Sequence, residues 1–305
     1  MHPLRRVAAI LTLAITAGLL GTGCEENVDP VLGIDLPYSV YALFTPALDT
    51  QWVRVFPIEG TLKVRTKEKL DATVTSTDVT TGEKRVWTDS LIEGPTGLFE
   101  HGYWSDFRAE YGHRYELEVT RSDGATSSAT TAVPAQVIAS IDPTILAPQV
   151  VVPYRLQTDA KHLLEVEVTY QIIRSTDPRS PTGTLGELIT LPYDDAVQPV
   201  DGGWMVLVDL TTDFDRLRSE LVKEERYDPA FGIAIVRVAI DLIVASEEWA
   251  PPGGVFDPTI IGLPNALTNV QNGFGLVVSG FRLHNEFVPT DDESKQAGFR
   301  PLSQV

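Results

Sequence analysis

Short runs in which apolar and polar residues alternate recur through most of this chain. Trp52–Phe56 (WVRVF) alternates, and Tyr115, Leu117 and Val119 leave one side of a run whose other side carries Glu116, Glu118 and Thr120. Leu164, Val166, Val168, Tyr170 and Ile172 do the same over a longer stretch. Successive side chains of a strand point to opposite faces, so each run predicts a half-buried strand. Turn-forming clusters punctuate them: Thr80-Thr81-Gly82-Glu83, and Ser122-Asp123-Gly124, which predicts a hairpin between Arg114–Arg121 and Thr126–Val133. Further strands are expected at Tyr38–Phe44, Leu62–Val64, Ala72–Ser76, around Arg85–Thr88, at Leu188–Leu191, Trp204–Leu210 and Gly273–Leu283. The unbroken apolar run Gly232–Val244 suits a central strand covered on both sides.

One segment has a helical period instead. Phe214, Leu217, Leu221 and Val222 recur at helical spacing, Asp213 can cap the first amides, and Asp228-Pro229 stops the turn, which predicts an amphipathic helix over 213–227 lying on a sheet. Pro134–Pro153 carries four prolines among β-branched residues and is expected to be extended, crossing between two domains. The fold class is therefore all-β: an Ig-like antiparallel β-sandwich over 37–135, then a second β-rich domain over 136–288 carrying the helix. Ser175–Thr184 and the Pro- and Gly-rich Ala250–Pro264 are expected to be loops, and the polar segment 289–305 a flexible tail.

The first residues set the expected address. Arg5 and Arg6 precede the apolar run Val7–Leu20, too short for a hydrocarbon core that needs about 20 residues but suited to a secretory signal. The run ends at Leu19-Leu20-Gly21-Thr22-Gly23-Cys24, which looks like a lipobox, where the leader is cut and the cysteine acylated. Residues 1–23 are then the signal peptide, Cys24 the lipidation site and 24–36 a tether. Cys24 is the chain's single cysteine, so lipidation leaves no thiol for a disulfide, a zinc site or a nucleophile. A formal charge of −18 argues against nucleic acid, whose phosphates it repels.

Chemistry-bearing motifs are absent from the sequence. There is no Gly-x-Ser-x-Gly elbow, no phosphate-cradling Gly-Lys-Ser/Thr loop and no pair of histidines at metal spacing. His101 and His113 fall on neighbouring predicted strands without a third ligand, while His162 and His284 stand alone. Asp291-Asp292-Glu293 and Glu224-Glu225 lack the alternation of a calcium loop and read as solvated faces. No metal, cofactor or catalytic residue is assigned. The aromatic cluster Phe99, Tyr103, Trp104, Phe107, Tyr111 reads chiefly as core, but Tyr103 and Trp104, with Trp249 beside Pro251-Pro252-Gly253-Gly254, are candidates for a binding surface, since exposed rings stack on sugars and on partner chains.

Taken together, the lipobox, a sandwich ending in Tyr111-Gly112-x-x-Tyr115-x-Leu117-x-Val119 with Gly124 and Thr131-x-Val133-Pro134, and a second half running from Val238-Ala239-Ile240-Asp241 through Ser246-Glu247-Glu248-Trp249 to Pro264-Asn265-Ala266-Leu267-Thr268-Asn269-Val270-Gln271-Asn272-Gly273-Phe274-Gly275, resemble the bacterial lipoproteins of domain-of-unknown-function family 4249. Within that ending, Gly273 and Gly275 would free the backbone for a tight strand entry and Asn269 would brace a local turn. The resemblance implies a Gram-negative cell-envelope lipoprotein held in the outer membrane by its lipid, an accessory to a TonB-dependent outer-membrane receptor, and not an enzyme. The small-molecule or glycan ligand is left open. Two alternatives stand beside it: an envelope hydrolase using carboxylates gathered by the fold, and a structural subunit of an envelope complex.

Overall fold

The alternating runs assemble into three sheets in a computed structural model, which describes residues 36–58, 67–93, 99–141, 149–174, 186–223, 232–249 and 268–304. The signal peptide, Cys24, nearly all of the tether, Leu62–Val64, Ser175–Thr184, Glu224-Glu225, the expected helix stop Asp228-Pro229 and Ala250–Pro264 lie outside the described residues. In chain order the strands are β1 (Tyr38–Phe44), β2 (Thr50–Pro57), β3 (Thr73–Asp78), β4 (Lys84–Val86), β5 (Thr88–Glu93), β6 (Phe99–Asp106), β7 (Arg114–Thr120), β8 (Thr126–Ala132), β9 (Ile138–Ile141), β10 (Val151–Gln157), β11 (His162–Arg174), β12 (Glu187–Pro192), β13 (Val197–Val200), β14 (Gly203–Asp209), β15 (Ile233–Ala245) and β16 (Gly273–Phe287). Two helices accompany them, α1 (Leu210–Lys223) and α2 (Asp291–Ala297). The all-β expectation with one amphipathic helix holds.

One sheet has eight strands, in the order β12-β11-β15-β16-β1-β2-β6-β5. It draws strands from both sides of Pro134–Pro153, while β9, inside that segment, and β10, which begins at its end, join a four-stranded sheet β13-β14-β10-β9. A second four-stranded sheet is β4-β3-β7-β8. The two halves keep separate cores. Tyr38, Val40 and Phe44 of β1, Val53 and Val55 of β2 and Tyr103 of β6 bury against Val74, Tyr115, Leu117, Val119 and Ala129 of β3, β7 and β8. Val166, Val168, Tyr170 and Ile172 of β11 and Val238, Ile240, Leu242 and Val244 of β15 bury against Val152, Tyr154, Leu156, Val206 and Val208 of β10 and β14. Val277 enters the first core and Phe281 the second, and residues an even number apart on β16 share a face, so both small sheets cover the same face of the large one.

The large sheet is closed at its middle by a pairing that hairpins cannot make. β1 runs parallel to β16, Tyr38 opposite Gly273 through Phe44 opposite Ser279, whereas its other neighbour β2 is antiparallel. Gly275 makes this approach possible: its φ is +109°, and a Cβ there would stand 2.0 Å from the Val40 carbonyl oxygen. Asn269 does not brace a local turn as expected. Its Oδ1 accepts from the Val277 amide (2.9 Å) and its Nδ2 donates to the Val277 carbonyl (2.6 Å), so the side chain pairs with β16 as a strand would.

The helix begins earlier than its apolar spacing indicates. Asp209, the last residue of β14, supplies the cap by accepting from the amides of Thr211 (3.0 Å) and Thr212 (3.1 Å). Asp213 thus lies within α1, on the buried stripe with Leu210, Leu217 and Leu221. The closing segment is also not a frayed tail. Thr290 and Glu293 form a reciprocal capping box at the start of α2, Gly298 ends it at φ +101°, and Phe299 packs edge-on against Phe214 of α1. The carboxylate run Asp291-Asp292-Glu293 is the first turn of that helix, with Glu293 buried.

Candidate binding face

Because both small sheets cover one face of the large sheet, the other face turns outward. Alternation sends Tyr41 and Leu43 of β1, Trp52, Arg54 and Phe56 of β2, Trp104 of β6 and Ile92 of β5 to it. The register brings them together: Tyr41 is opposite Arg54, Trp52 opposite Trp104, Arg54 opposite Gly102, and Ile92 opposite Glu100. Tyr41, Leu43 and Trp52 are 46, 49 and 44% exposed, and Trp104 is half-buried. Gly102 lets the Ile92 side chain lie flat over the strand beside Trp52, since a Cβ there would meet Ile92 Cδ1 at 2.6 Å and Trp52 Cε3 at 3.5 Å. Tyr41 meets Phe56 edge-on with centroids 6.3 Å apart, and the Arg54 guanidinium lies 5.5 Å from the Phe56 ring while pairing with Glu100. The result is a lane of outward rings, Tyr41 and Trp52 exposed and Phe56 and Trp104 half-buried, with a guanidinium–carboxylate pair at its side.

Adjacent residues of a strand cannot both face outward, and this corrects the pairing of Tyr103 with Trp104. Tyr103 points into the core at 2% exposure, and burial with Asp89 nearby pushes its hydroxyl above the ordinary tyrosine range. Trp249 is half-buried in the turn after β15, and that turn is tied to the inner side of the sheet by Glu248 to Thr131 (3.1 Å) and by the Ser279 amide to the Ser246 hydroxyl (3.2 Å). It does not join the lane. Trp52 and Phe56, which do, were signalled by the same WVRVF alternation that predicts the strand.

The far half of the outward face is charged. His284 of β16 contacts Asp241 of β15 (3.0 Å) and Glu286 (3.1 Å), and Arg237 pairs with Glu286 (2.9 Å), so His284 does not stand alone. The two carboxylates raise the His284 pKa above its usual value, and the histidine in turn holds Glu286 below the usual carboxylate range. His101 and His113 do not meet as ligands: His101 contacts Asp89 (3.0 Å) and His113 contacts Asp78 (2.8 Å). Among the described residues, no group of three His, Cys, Asp or Glu could hold a metal.

A concavity lies at the opposite end of the large sheet from the aromatic lane, a cleft of about 690 Å³ between β12 and α1. Beneath it, Asp213 (1% exposed) accepts from the hydroxyls of Tyr170 and Tyr193 and from Arg216 (3.1 Å), whose guanidinium also donates to the Pro192 carbonyl (3.2 Å) and lies over the Tyr193 ring. Burial raises the Asp213 pKa against the opposing pull of those donors. The carboxylate is sealed behind Arg216, so it reaches nothing in the cleft.

No family model matches this chain, and no curated protein does. Solved structures with some likeness include a pullulanase from Anoxybacillus sp. LM18-11 (14% identity, 70% of this chain and 26% of that one, TM-score 0.21). Others are the C-terminal globular domain of an oligosaccharyltransferase from Pyrococcus abyssi (10% identity, 67% and 46%, TM-score 0.21) and bovine butyrophilin (10% identity, 83% and 100%, TM-score 0.19). The chain thus spans about a quarter of the pullulanase and under half of the oligosaccharyltransferase domain. Likeness at this level transfers neither an activity nor a ligand.

Proposed function

We propose that this chain is a cell-envelope lipoprotein, acylated at Cys24 and held at the outer membrane, which captures a neutral glycan on its outward sheet face as an accessory to a TonB-dependent receptor. It is read as a binding protein and not an enzyme, in line with its resemblance to domain-of-unknown-function family 4249. The observation that supports the binding role is the lane of Tyr41, Trp52, Phe56 and Trp104 on the face that neither small sheet covers. Exposed rings stack on the C–H faces of pyranoses, and the Arg54–Glu100 pair beside them offers both a donor and an acceptor to ring hydroxyls. The charge of −18 favours a neutral ligand over an anionic one.

Affinity electrophoresis through gels containing neutral polysaccharides tests this. Retardation of the wild type, lost in Trp52→Ala and Trp104→Ala variants with unchanged circular dichroism, is the expected result; equal mobility of all three in every polysaccharide defeats it. Cys24→Ala is expected to move the protein out of the membrane fraction, and pull-down of the native protein is expected to recover an outer-membrane receptor. A structural-subunit role draws on the same exposed lane, and it would appear as a stable protein complex that Trp52→Ala disrupts without any glycan effect.

A further inference from the structure

The cleft between β12 and α1 uses none of the residues of the aromatic lane, and its two walls have different chemistry. One wall is the whole of β12, the terminal strand of the large sheet, which pairs with β11 on one edge and with no strand on the other among the described residues. An open strand edge presents backbone amides and carbonyls at strand spacing and accepts a further strand. The other wall is the polar face of α1, where Thr212, Asp215, Arg216, Ser219 and Glu220 line the cleft. Glu187 at the start of β12 adds a third carboxylate. The single cation among these residues, Arg216, is committed to Asp213 and to the Pro192 carbonyl. Among the described residues, Asp215 and Glu220 pair with Arg218 (3.0 Å) and Lys223 (2.6 Å) of their own helix, exposed contacts of the kind that contribute little and exchange readily.

We propose that this cleft is a second binding site, which takes an extended peptide segment rich in lysine or arginine as an added strand on β12. The six residues of β12 offer roughly 20 Å of edge, enough for a peptide of similar length. Side chains of the added strand that point toward α1 meet Asp215 and Glu220, which selects basic residues at alternate positions. The Asp213 cluster keeps the two walls fixed, because Arg216 spans from the helix to Pro192 while Tyr170 and Tyr193 hold the helix to β11 and to the residue after β12. A groove fixed in advance binds without paying for its own ordering.

Fluorescence anisotropy on the chain lacking residues 1–23, with labelled peptides of alternating Lys and Val or alternating Glu and Val, tests the site. The lysine peptide is expected to bind at least about tenfold more tightly than the glutamate peptide, with an affinity that falls as salt rises. Alternate N-methylation of the lysine peptide, which removes strand pairing and leaves charge, is expected to cost at least about tenfold, as is Asp215→Lys/Glu220→Lys in the protein. The milder Glu220→Gln, expected to weaken binding in the same direction, serves if the double substitution disturbs folding. Equal binding of the methylated peptide, equal binding of the glutamate peptide, or indifference to the helix substitutions overturns the proposal, as does self-association of the chain through this edge with no peptide bound.

Discussion

Asp213→Ala isolates the energetic role of the buried cluster beneath the cleft. The substitution removes the acceptor of two phenolic protons, Tyr170 at 0% exposure and Tyr193 at 5%, and one partner of Arg216. Each buried hydroxyl left without an acceptor costs about 1–3 kcal/mol. Removing a desolvated carboxylate offsets part of that sum, which leaves an expected net loss of about 3 kcal/mol. Urea denaturation followed by tryptophan fluorescence reads it as a lower midpoint at unchanged slope. Tyr170→Phe alone is expected to cost about 1 kcal/mol, and the double variant less than the sum by at least about 1 kcal/mol, because a ring without a hydroxyl has nothing to leave stranded. The pH dependence has a definite sign. Asp213 has a folded pKa above its ordinary 3.8, so the folded chain holds that proton more tightly than the unfolded one, and the gap between wild type and variant widens as pH falls through the raised value. A loss under about 1 kcal/mol with additive singles would refute the cluster as a structural clamp.

Burial holds six tyrosines, Tyr38, Tyr103, Tyr115, Tyr154, Tyr170 and Tyr193, above their ordinary value of 10.0, with Tyr38 at about 12. The unfolded chain therefore sheds protons that the folded chain keeps, stability falls as pH rises above 10, and tyrosinate absorbance is expected to jump together with the loss of circular dichroism. Gly275→Ala places a Cβ 2.0 Å from the Val40 carbonyl and is expected to cost at least about 2 kcal/mol in urea midpoint, while Gly112→Ala, also at positive φ but with nothing within 4 Å, costs about 1 kcal/mol from backbone strain alone. Thr290→Ala removes the cap of α2 and is expected to cost about 1 kcal/mol, seen as faster amide exchange over Asp291–Ala297.

The strands were legible because one face of each is buried and the other wet, which writes the fold into alternation; the β7–β8 hairpin turns where Ser122-Asp123-Gly124 indicated. What alternation does not carry is which strand lies beside which. The parallel pairing of β1 with β16 joins residues far apart in sequence and rests on Gly275, whose need for positive φ follows only from the closeness of Val40. The start of α1 was misplaced because Asp209 and Asp213 are equally good caps in isolation, and only the positions of Tyr170 and Tyr193 decide that Asp213 is turned inward. On the outward face, Trp104 was legible and Tyr103 was not separated from it, although period-two geometry allows only one of two neighbours to face out. The β12–α1 cleft had no sequence signature, since its walls are an edge strand and the polar face of a helix that only the fold sets side by side.

Placing the last long strand beside the first imposes a schedule on the nascent polypeptide. β1 cannot gain its second neighbour until β16 has been synthesised, so the middle of the large sheet waits for nearly the entire chain, and non-local closures of this kind are slow to form. A ribosome stalled before Gly273, or a deletion of that strand, would leave the amino-terminal sandwich with a raw edge at Tyr38–Phe44, open to pairing with whatever chain is nearest.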